Sequence, residues 1–531
     1  MKLAAFLAAH ALATPEREAI ACGSVRLSFR DIDERSTRLA SALVARGVAI
    51  GDRVAIYLSN RAEFGVAFMG IVKAGAIAIT LNPRLSAAEV GYILADATPR
   101  AVILENETRD TFARACAAAI DPASAAVDRA SGAVDRASAV LALRLCVDQP
   151  CAPGEVAFSE LIGEGGMLLR DIPPEFDDCM ISYTSGTTGK PKGAIITQAN
   201  YIMLAAYVNG LQWGLSSADR MLATTPLAHR SAFQRLMNMV CAGTSLVVMQ
   251  RFDPKEAARI IEDERITLMG MVPTVGRMLL PEMEAAPQRF RTLRAAVVTG
   301  EAFPVEVKQR LLRVLPHLQL HSFFAMTEVG AITNLGPAEQ FAKGASVGRV
   351  NPGVELKLVD DRGAQVASGE VGEILVRSGP AGSYLTMRGY FNNPQATAEA
   401  IEDGWVRTGD LGRVDAEGYL YIVDRKKDMV LSGGYNIYSK EVEAAILDLP
   451  EVQDVAVIGV PDALYGEAVA AFVETRPGAA LAAERVIEHC RERIASYKKP
   501  RHVCFVSGLP RNSMGKVLKY QLREGFAPHE D

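Results

Sequence analysis

Eleven consecutive positions, Tyr183 to Gly193, read YTSGTTGKPKG. They hold three glycines, one serine, three threonines and two lysines, with hardly an apolar side chain. Backbone N–H groups opened by glycine turns make anion cradles, because no Cβ blocks close approach. Hydroxyls add donors and lysine adds a point charge, so the stretch suits a polyphosphate. It is not a GxxxxGK[ST] loop, since Gly186 and Gly189-Lys190 are spaced wrongly and Pro191 follows.

Four further stretches carry chemistry-bearing residues. FFAMTEVG, Phe323 to Gly330, sets an aromatic, a hydroxyl and a carboxylate close together. TGD, Thr408 to Asp410, places a carboxylate behind a tight turn. DRKKDMVLSGGYNIYSKEVE, Asp424 to Glu443, joins a charged segment to a Gly-Gly loop. PRNSMGKVLK, Pro510 to Lys519, offers a lysine after glycine.

The elements that must position these residues follow from periodicity. Met180 to Tyr183 and Ala194 to Ile196 read as strands on either side of the polar loop. Phe29 to Gly47 carries apolar residues at helical spacing and ends in glycine. DRVAIYLS and AIAITLN read as buried strands with a helical stretch between them, which predicts a layered, mostly parallel sheet. Beyond about residue 345, VELKLVD, GEILVRS and YLYIVD alternate and predict a small antiparallel or barrel-like region. From about residue 425 the order strand, helix, strand, strand, helix predicts a separate α+β unit, with Asp424 to Asp428 as its linker. Pro122 to Leu145 repeats AVDRAS with a period of seven. It reads as a surface helix or a mobile insertion and is assigned no function.

The totals exclude several classes. A chain of 531 residues, 49% hydrophobic and 22% charged, is a multidomain globular protein. A net charge of −5 argues against nucleic acid as a partner. Eight cysteines without a CxxC pair and seven histidines without HExxH indicate neither a disulfide framework nor a metal cage made of protein ligands alone. Lys2 and the alanine-rich run after it imitate a secretory leader. His10 and the single preceding cation favour a first helix instead. No uninterrupted apolar run reaches membrane-spanning length, and a cytoplasmic location is expected.

Taken in order, the five motifs resemble the adenylate-forming superfamily of acyl-CoA synthetases, peptide-synthetase adenylation domains and beetle luciferases, over roughly residues 10 to 525. The resemblance implies a large N-terminal domain of layered sheets and helices with a small barrel-like β region, residues 1–424. A hinge at 425–428 and a smaller, mobile α+β cap at 429–531 would follow. It implies that Thr184, Ser185, Gly186, Thr187, Thr188 and Lys192 hold the β and γ phosphates of ATP. Gly300, Glu301 and Ala302 would line the adenine side, and Phe324 would stack on the base where tyrosine is more usual. Thr327 would touch the α-phosphate and Glu328 would hold Mg²⁺. Asp410 would accept the ribose hydroxyls, with Arg425 nearby. Lys516 would bridge the acid and the α-phosphate, Lys427 would be the hinge residue, and Ser432, Gly433 and Gly434 would lie along the pantetheine arm of CoA. Ser322, Phe324 and Ala325 depart from the usual Asn, Tyr and Gly, and Ala325 adds a methyl where the acid passes.

In TTPLAHRSAFQRLMN, Thr224 to Asn238, the resemblance makes His229 a gate or wall of the acyl pocket. Arg230 is a candidate reader of a polar or anionic end of the acid. An aliphatic or aromatic monocarboxylate is the expected substrate. The expected reaction is ATP-dependent ligation of that acid to CoA; the alternatives are loading of a separate carrier protein and nucleotide binding without turnover. A second copy of the chain and a lysine acetyltransferase acting on Lys516 are further candidate partners.

Overall fold

The computed structural model describes residues 2–120, 143–164, 166–167, 170–184, 191–299, 303–462, 464–511 and 515–526. The AVDRAS repeat lies outside the described residues. The chain forms two compact units, residues 1–356 with 376–406, and residues 357–375 with 407–531.

The first unit is built on two large sheets. One runs in the order Gln319–Ser322, Ala295–Val298, Leu268–Met271, Arg220–Ala223, Ser245–Val248, Glu18–Cys22 and Val25–Ser28. All its pairs are parallel except the last, a hairpin. The other runs in the order Gly389–Tyr390, Lys192–Thr197, Asp178–Thr184, Ile77–Thr80, Arg53–Tyr57, Ala101–Leu104, Leu143–Cys146 and Val156–Ala157. Its parallel part follows the alternation read from the sequence. The strands flanking the polar loop depart from it and pair antiparallel, with Thr184 opposite Lys192. The pairing of Tyr390 with Ala194 is also antiparallel.

The alanine-rich start forms the helix Leu3–Ala13, with Leu3 and Leu7 fully buried. Helix Phe29–Ala45 begins at Ser28, whose side chain accepts from Asp31 N–H while Asp31 reaches back. This reciprocal cap satisfies two N–H groups that helix geometry leaves open.

Helix Arg230–Ala242 runs through the core with two unlike faces. Phe233 packs its ring 4.6 Å from Phe68 and 5.2 Å from Tyr201. Leu236, Met237 and Val240 are fully buried beside it. Arg230, Gln234 and Asn238, four apart and so stacked on one face, are equally buried.

The second unit holds an antiparallel pair in which Asp410–Val414 lies against Leu420–Arg425. A second sheet runs in the order Tyr435–Ile437, Val430–Ser432, Gly466–Thr475 and Val452–Asp462, with His502–Val506 on the Gly466–Thr475 strand. Helices Ser439–Leu447 and Ala483–Arg493 complete the α+β pattern. Asp424 and Arg425, read as the start of a linker, instead close a strand. Asp424 is buried and accepts from both the N–H and the hydroxyl of Ser439. Among the described residues no helix is long and apolar enough to cross a membrane.

Candidate active site

In the first unit, three side chains from distant motifs meet. Lys192 opens the strand after the polar loop, and its Nζ stands 5.3 Å from the centroid of the Tyr390 ring. The Tyr390 hydroxyl donates to Glu328 Oε1 at 2.8 Å. Burial and that carboxylate push the Tyr390 phenol up, so it stays a donor. Glu328 sits in the turn of a hairpin in which Ala325–Met326 pairs with Gly330–Ala331. Gly330 takes φ +76°, a conformation that L side chains rarely adopt. Glu328 is buried, and its carbonyl accepts from Met387 N–H at 2.7 Å. Thr327 lies in the same turn, half-buried. Phe324 precedes the hairpin, its carbonyl accepting from Ile332 N–H at 2.8 Å.

His229 caps the helix Arg230–Ala242 by accepting from Ser231 N–H. It keeps an accessible face, yet protein surrounds its ring and the lost solvation pulls its pKa down to about 4. Arg230 is 6% exposed, and its Nη1 lies 3.5 Å from the Met326 carbonyl. Burial lowers its pKa, opposed by Tyr201 and Glu328. Its Nε and Nη2 have no hydrogen-bond partner. Arg230 is therefore beside the carboxylate-bearing hairpin.

In the second unit, Arg425 Nε donates to Asp410 Oδ1 at 2.6 Å. Asp410 follows Gly409, which takes φ +68°, and its N–H donates to the Thr408 hydroxyl at 3.0 Å. Lys516 lies in the field of Asp410, Arg425, Lys427 and Asp428. It is exposed by area, but crowding around its ammonium costs solvation. That loss, together with Arg425 and Lys427, pulls its pKa down to about 8 against the two carboxylates. The residues after it are anchored. Lys519 Nζ pairs with Glu443 at 2.7 Å and donates to Ser439 Oγ at 2.8 Å. Arg523 pairs with Asp428 at 2.9 Å. Gly433 and Gly434, at φ +56° and +82°, form the two-residue turn joining Val430–Ser432 to Tyr435–Ile437.

Residues 7–391 match the model of the AMP-binding enzymes, and residues 441–516 match the C-terminal domain of the same enzymes. The chain belongs to the AMP-binding enzymes. It is thereby a member of the adenylate-forming superfamily that its motifs resemble. It is 33% identical over 511 residues to the long-chain-fatty-acid–CoA ligase FadD13 of Mycobacterium tuberculosis, covering 95% of this chain and 94% of that one. It is 32% identical to the fatty acid–[acyl-carrier-protein] ligase ScoC of Streptomyces coeruleorubidus, covering 97% and 95%. Its fold superposes on ATP-bound MatB from Rhodopseudomonas palustris with a TM-score of 0.84 at 28% identity, covering 99% of both chains.

Of the AMP-binding residues expected from the sequence, Ser185, Gly186, Thr187, Thr188, Gly300, Glu301 and Ala302 lie outside the described residues. Thr184, Lys192 and Glu328 are brought to one region of the first unit. Asp410, Arg425, Lys427 and Lys516 are brought to one region of the second. Tyr390, which joins the lysine to the carboxylate, was not foreseen; within RGYFNN, Arg388 to Asn393, nothing in residue type or spacing marks a tyrosine as chemical. A divalent cation fits the first region. Glu328 is a buried carboxylate whose nearby cation, Arg230, is not within ion-pair distance. Mg²⁺ takes one or two carboxylates and completes its shell with phosphate oxygens and water. Among the described residues no cluster of three metal-ligating side chains exists.

Proposed function

We propose that the protein is an ATP-dependent carboxylic acid–CoA ligase working in two steps. In the first, a carboxylate oxygen attacks the α-phosphorus of ATP, an acyl-AMP forms and pyrophosphate leaves. In the second, the thiol sulfur of CoA attacks the acyl carbon, the C–O bond to AMP breaks and the thiol proton passes to solvent.

The observation that carries this reading is the chain Lys192–Tyr390–Glu328. It joins a point charge suited to phosphate with a buried carboxylate suited to a hard cation. Lys192 and Thr184 are assigned to the β and γ phosphates, Thr327 to the α-phosphate and Phe324 to the face of adenine. Mg²⁺ held by Glu328 would neutralise charge on the phosphate oxygens. His229, Arg230 and Ala325 are assigned to the acyl pocket. Asp410 is assigned to the ribose hydroxyls and Arg425, already held by Asp410, to ribose or phosphate. Lys516 is assigned to the charge that develops as two anions approach, a task for a positioned cation. Lys427 is assigned to the hinge and the turn at Ser432, Gly433 and Gly434 to the pantetheine arm, where small residues admit close backbone approach.

A panel of acids of graded length and aromaticity, assayed for ATP–PPi exchange and for AMP release with and without CoA, tests this. Acid-dependent exchange and CoA-dependent AMP release are expected. No exchange with any acid would refute adenylation. Exchange without any effect of CoA would favour the second reading, loading of a separate carrier protein, which the likeness to ScoC supports.

A further inference from the structure

Lys516 stands on an exposed turn, and the chain just after it is tied to a buried polar cluster. Leu518 N–H closes the turn by donating to the Pro510 carbonyl at 2.8 Å, and Arg511 Nη1 donates to the Gly515 carbonyl at 2.7 Å. Gly515 takes φ +84°, and a Cβ added there would meet nothing within 4 Å among the described residues. Packing at the glycine therefore does not fix the turn; the restraint comes from further on. Lys519 Nζ lies 2.7 Å from Glu443 Oε1 and donates to Ser439 Oγ at 2.8 Å. Ser439 is fully buried. Its hydroxyl donates to Asp424 Oδ1 at 3.0 Å, and its N–H donates to the same carboxylate.

Asp424 reaches this cluster from another element. It is the last residue but one of strand Leu420–Arg425 and is 1% exposed. Successive side chains of a strand point to opposite faces, so Arg425 meets Asp410 while Asp424 turns toward Ser439. The first N–H groups of a helix have no partner within it and are commonly capped by the residue just before. Tyr438 holds that place before helix Ser439–Leu447 and makes no side-chain cap. Asp424 takes over the task, and a negative charge suits that end of the helix. The seat of the helix therefore depends on the strand that carries Arg425.

We propose that Ser439 and Lys519 are positioning residues for the first half-reaction, clamping the segment that bears Lys516 to the strand whose Arg425 holds Asp410. The proposal rests on the ligase reading and adds two residues to its first step. The halves of the clamp, Asp424 on one side and Ser439 with Lys519 on the other, are separated in the chain by Lys427, the expected hinge. A rotation there would part Asp424 from Ser439. The clamp thus serves the arrangement in which Lys516 lies in the field of Asp410 and Arg425, and the second half-reaction does not need it.

The test separates the half-reactions. Ser439→Ala and Lys519→Met are each assayed for acid-dependent ATP–PPi exchange and for thioester formation from supplied acyl-AMP and CoA. Exchange is expected to lose at least fivefold in kcat. KM for ATP and for the acid should change less than twofold, because Lys516 acts on charge that develops only in the transition state. Thioester formation is expected to stay within twofold of wild type or to rise. Lys519→Arg is expected to restore at least half of the exchange rate, since a guanidinium can donate to both Glu443 and Ser439. Equal falls in the two half-reactions overturn the proposal, because loss of folded enzyme would produce them. So does exchange reduced less than fivefold in both variants. Should Lys519→Met fail to fold, Ser439→Ala, which removes one hydroxyl, decides alone. Failure of the ligase reading is separate: the wild type would then show no exchange with any acid.

Discussion

Two of the buried cations of the first unit, Lys73 and Arg235, are treated in opposite ways. Lys73 is 4% exposed, and its ammonium donates to Asp33 Oδ1 at 2.7 Å, the Asp33 carbonyl at 2.8 Å and Thr37 Oγ1 at 2.9 Å. All three of its donors are used. Arg235 is buried as deeply and has two nitrogens without an acceptor. Arg294 sharpens the contrast, since it touches the same Trp213. It donates to the Trp213 carbonyl at 2.9 Å and holds Asp219 through two nitrogens at 2.8 and 2.7 Å. A cation that holds a fold together is supplied with acceptors by the chain. Lys516 in the second unit differs from both: it stands in the field of Asp410 and Asp428, and burial together with Arg425 and Lys427 holds its pKa down to about 8.

The largest effect is expected at Lys516. Lys516→Ala should slow acid-dependent ATP–PPi exchange by about 10²–10³-fold, the usual loss for one electrostatic donor to a transition state. Thioester formation from supplied acyl-AMP should persist. Unchanged exchange would overturn the assignment of Lys516 to the first step.

Next comes stability. Lys73→Met leaves Asp33 and Thr37 without their donor; the Asp33 side chain is 25% exposed, so water relieves part of the loss. A cost of about 1–3 kcal/mol is expected. Arg235→Met leaves no partner behind and is expected to be neutral or stabilising. Urea midpoints of the first unfolding transition measure both. If Arg235→Met unfolds as early as Lys73→Met, the contrast between them fails.

Sequence and structure agree best where chemistry is local. The strands around Tyr183 to Gly193, the helix from Phe29 and the α+β order beyond residue 425 all rest on patterns within one element. The carboxylate of Glu328 and the lysine at 192 were legible because their neighbours in the chain carry the motif. Tyr390 was not, because its role depends on pairing with Ala194, a register set by the whole second sheet. Arg235 was legible as a residue but not as an unpaired one. Arg230 is likewise buried with two nitrogens lacking an acceptor, and neither property shows in the spacing of apolar neighbours.

A pH profile probes Lys516 without mutation. Lys516 must be protonated to act, and its lowered pKa means the charge is present below about 8 and is lost as pH rises through it. kcat/KM for ATP reports the free enzyme, so it should fall about tenfold between pH 7 and pH 9. Bound polyphosphate favours the ammonium, which should displace the fall in kcat to higher pH. Lys516→Arg should lose the alkaline limb, because a guanidinium stays charged. A flat wild-type profile over this range would place the titrating amine elsewhere.

The smallest effect belongs to Tyr390, which is complete on one side and open on the other. Its hydroxyl is used by Glu328 and its ring faces Lys192. Tyr390→Phe keeps the ring under the ammonium and removes only the donor. One hydrogen bond in a partly wet site contributes about 1 kcal/mol, so kcat/KM for magnesium–ATP should drop roughly fivefold. The loss should shrink at high magnesium if the hydroxyl acts by orienting the carboxylate. Tyr390→Ala removes the ring as well and should cost more, by the added loss of the cation–π contact. Equal losses for Phe and Ala would assign the whole role to the hydroxyl. A loss beyond a hundredfold in Tyr390→Phe would mean that the phenol touches the reacting atoms, and Tyr390 would then join Lys516 as a catalytic residue.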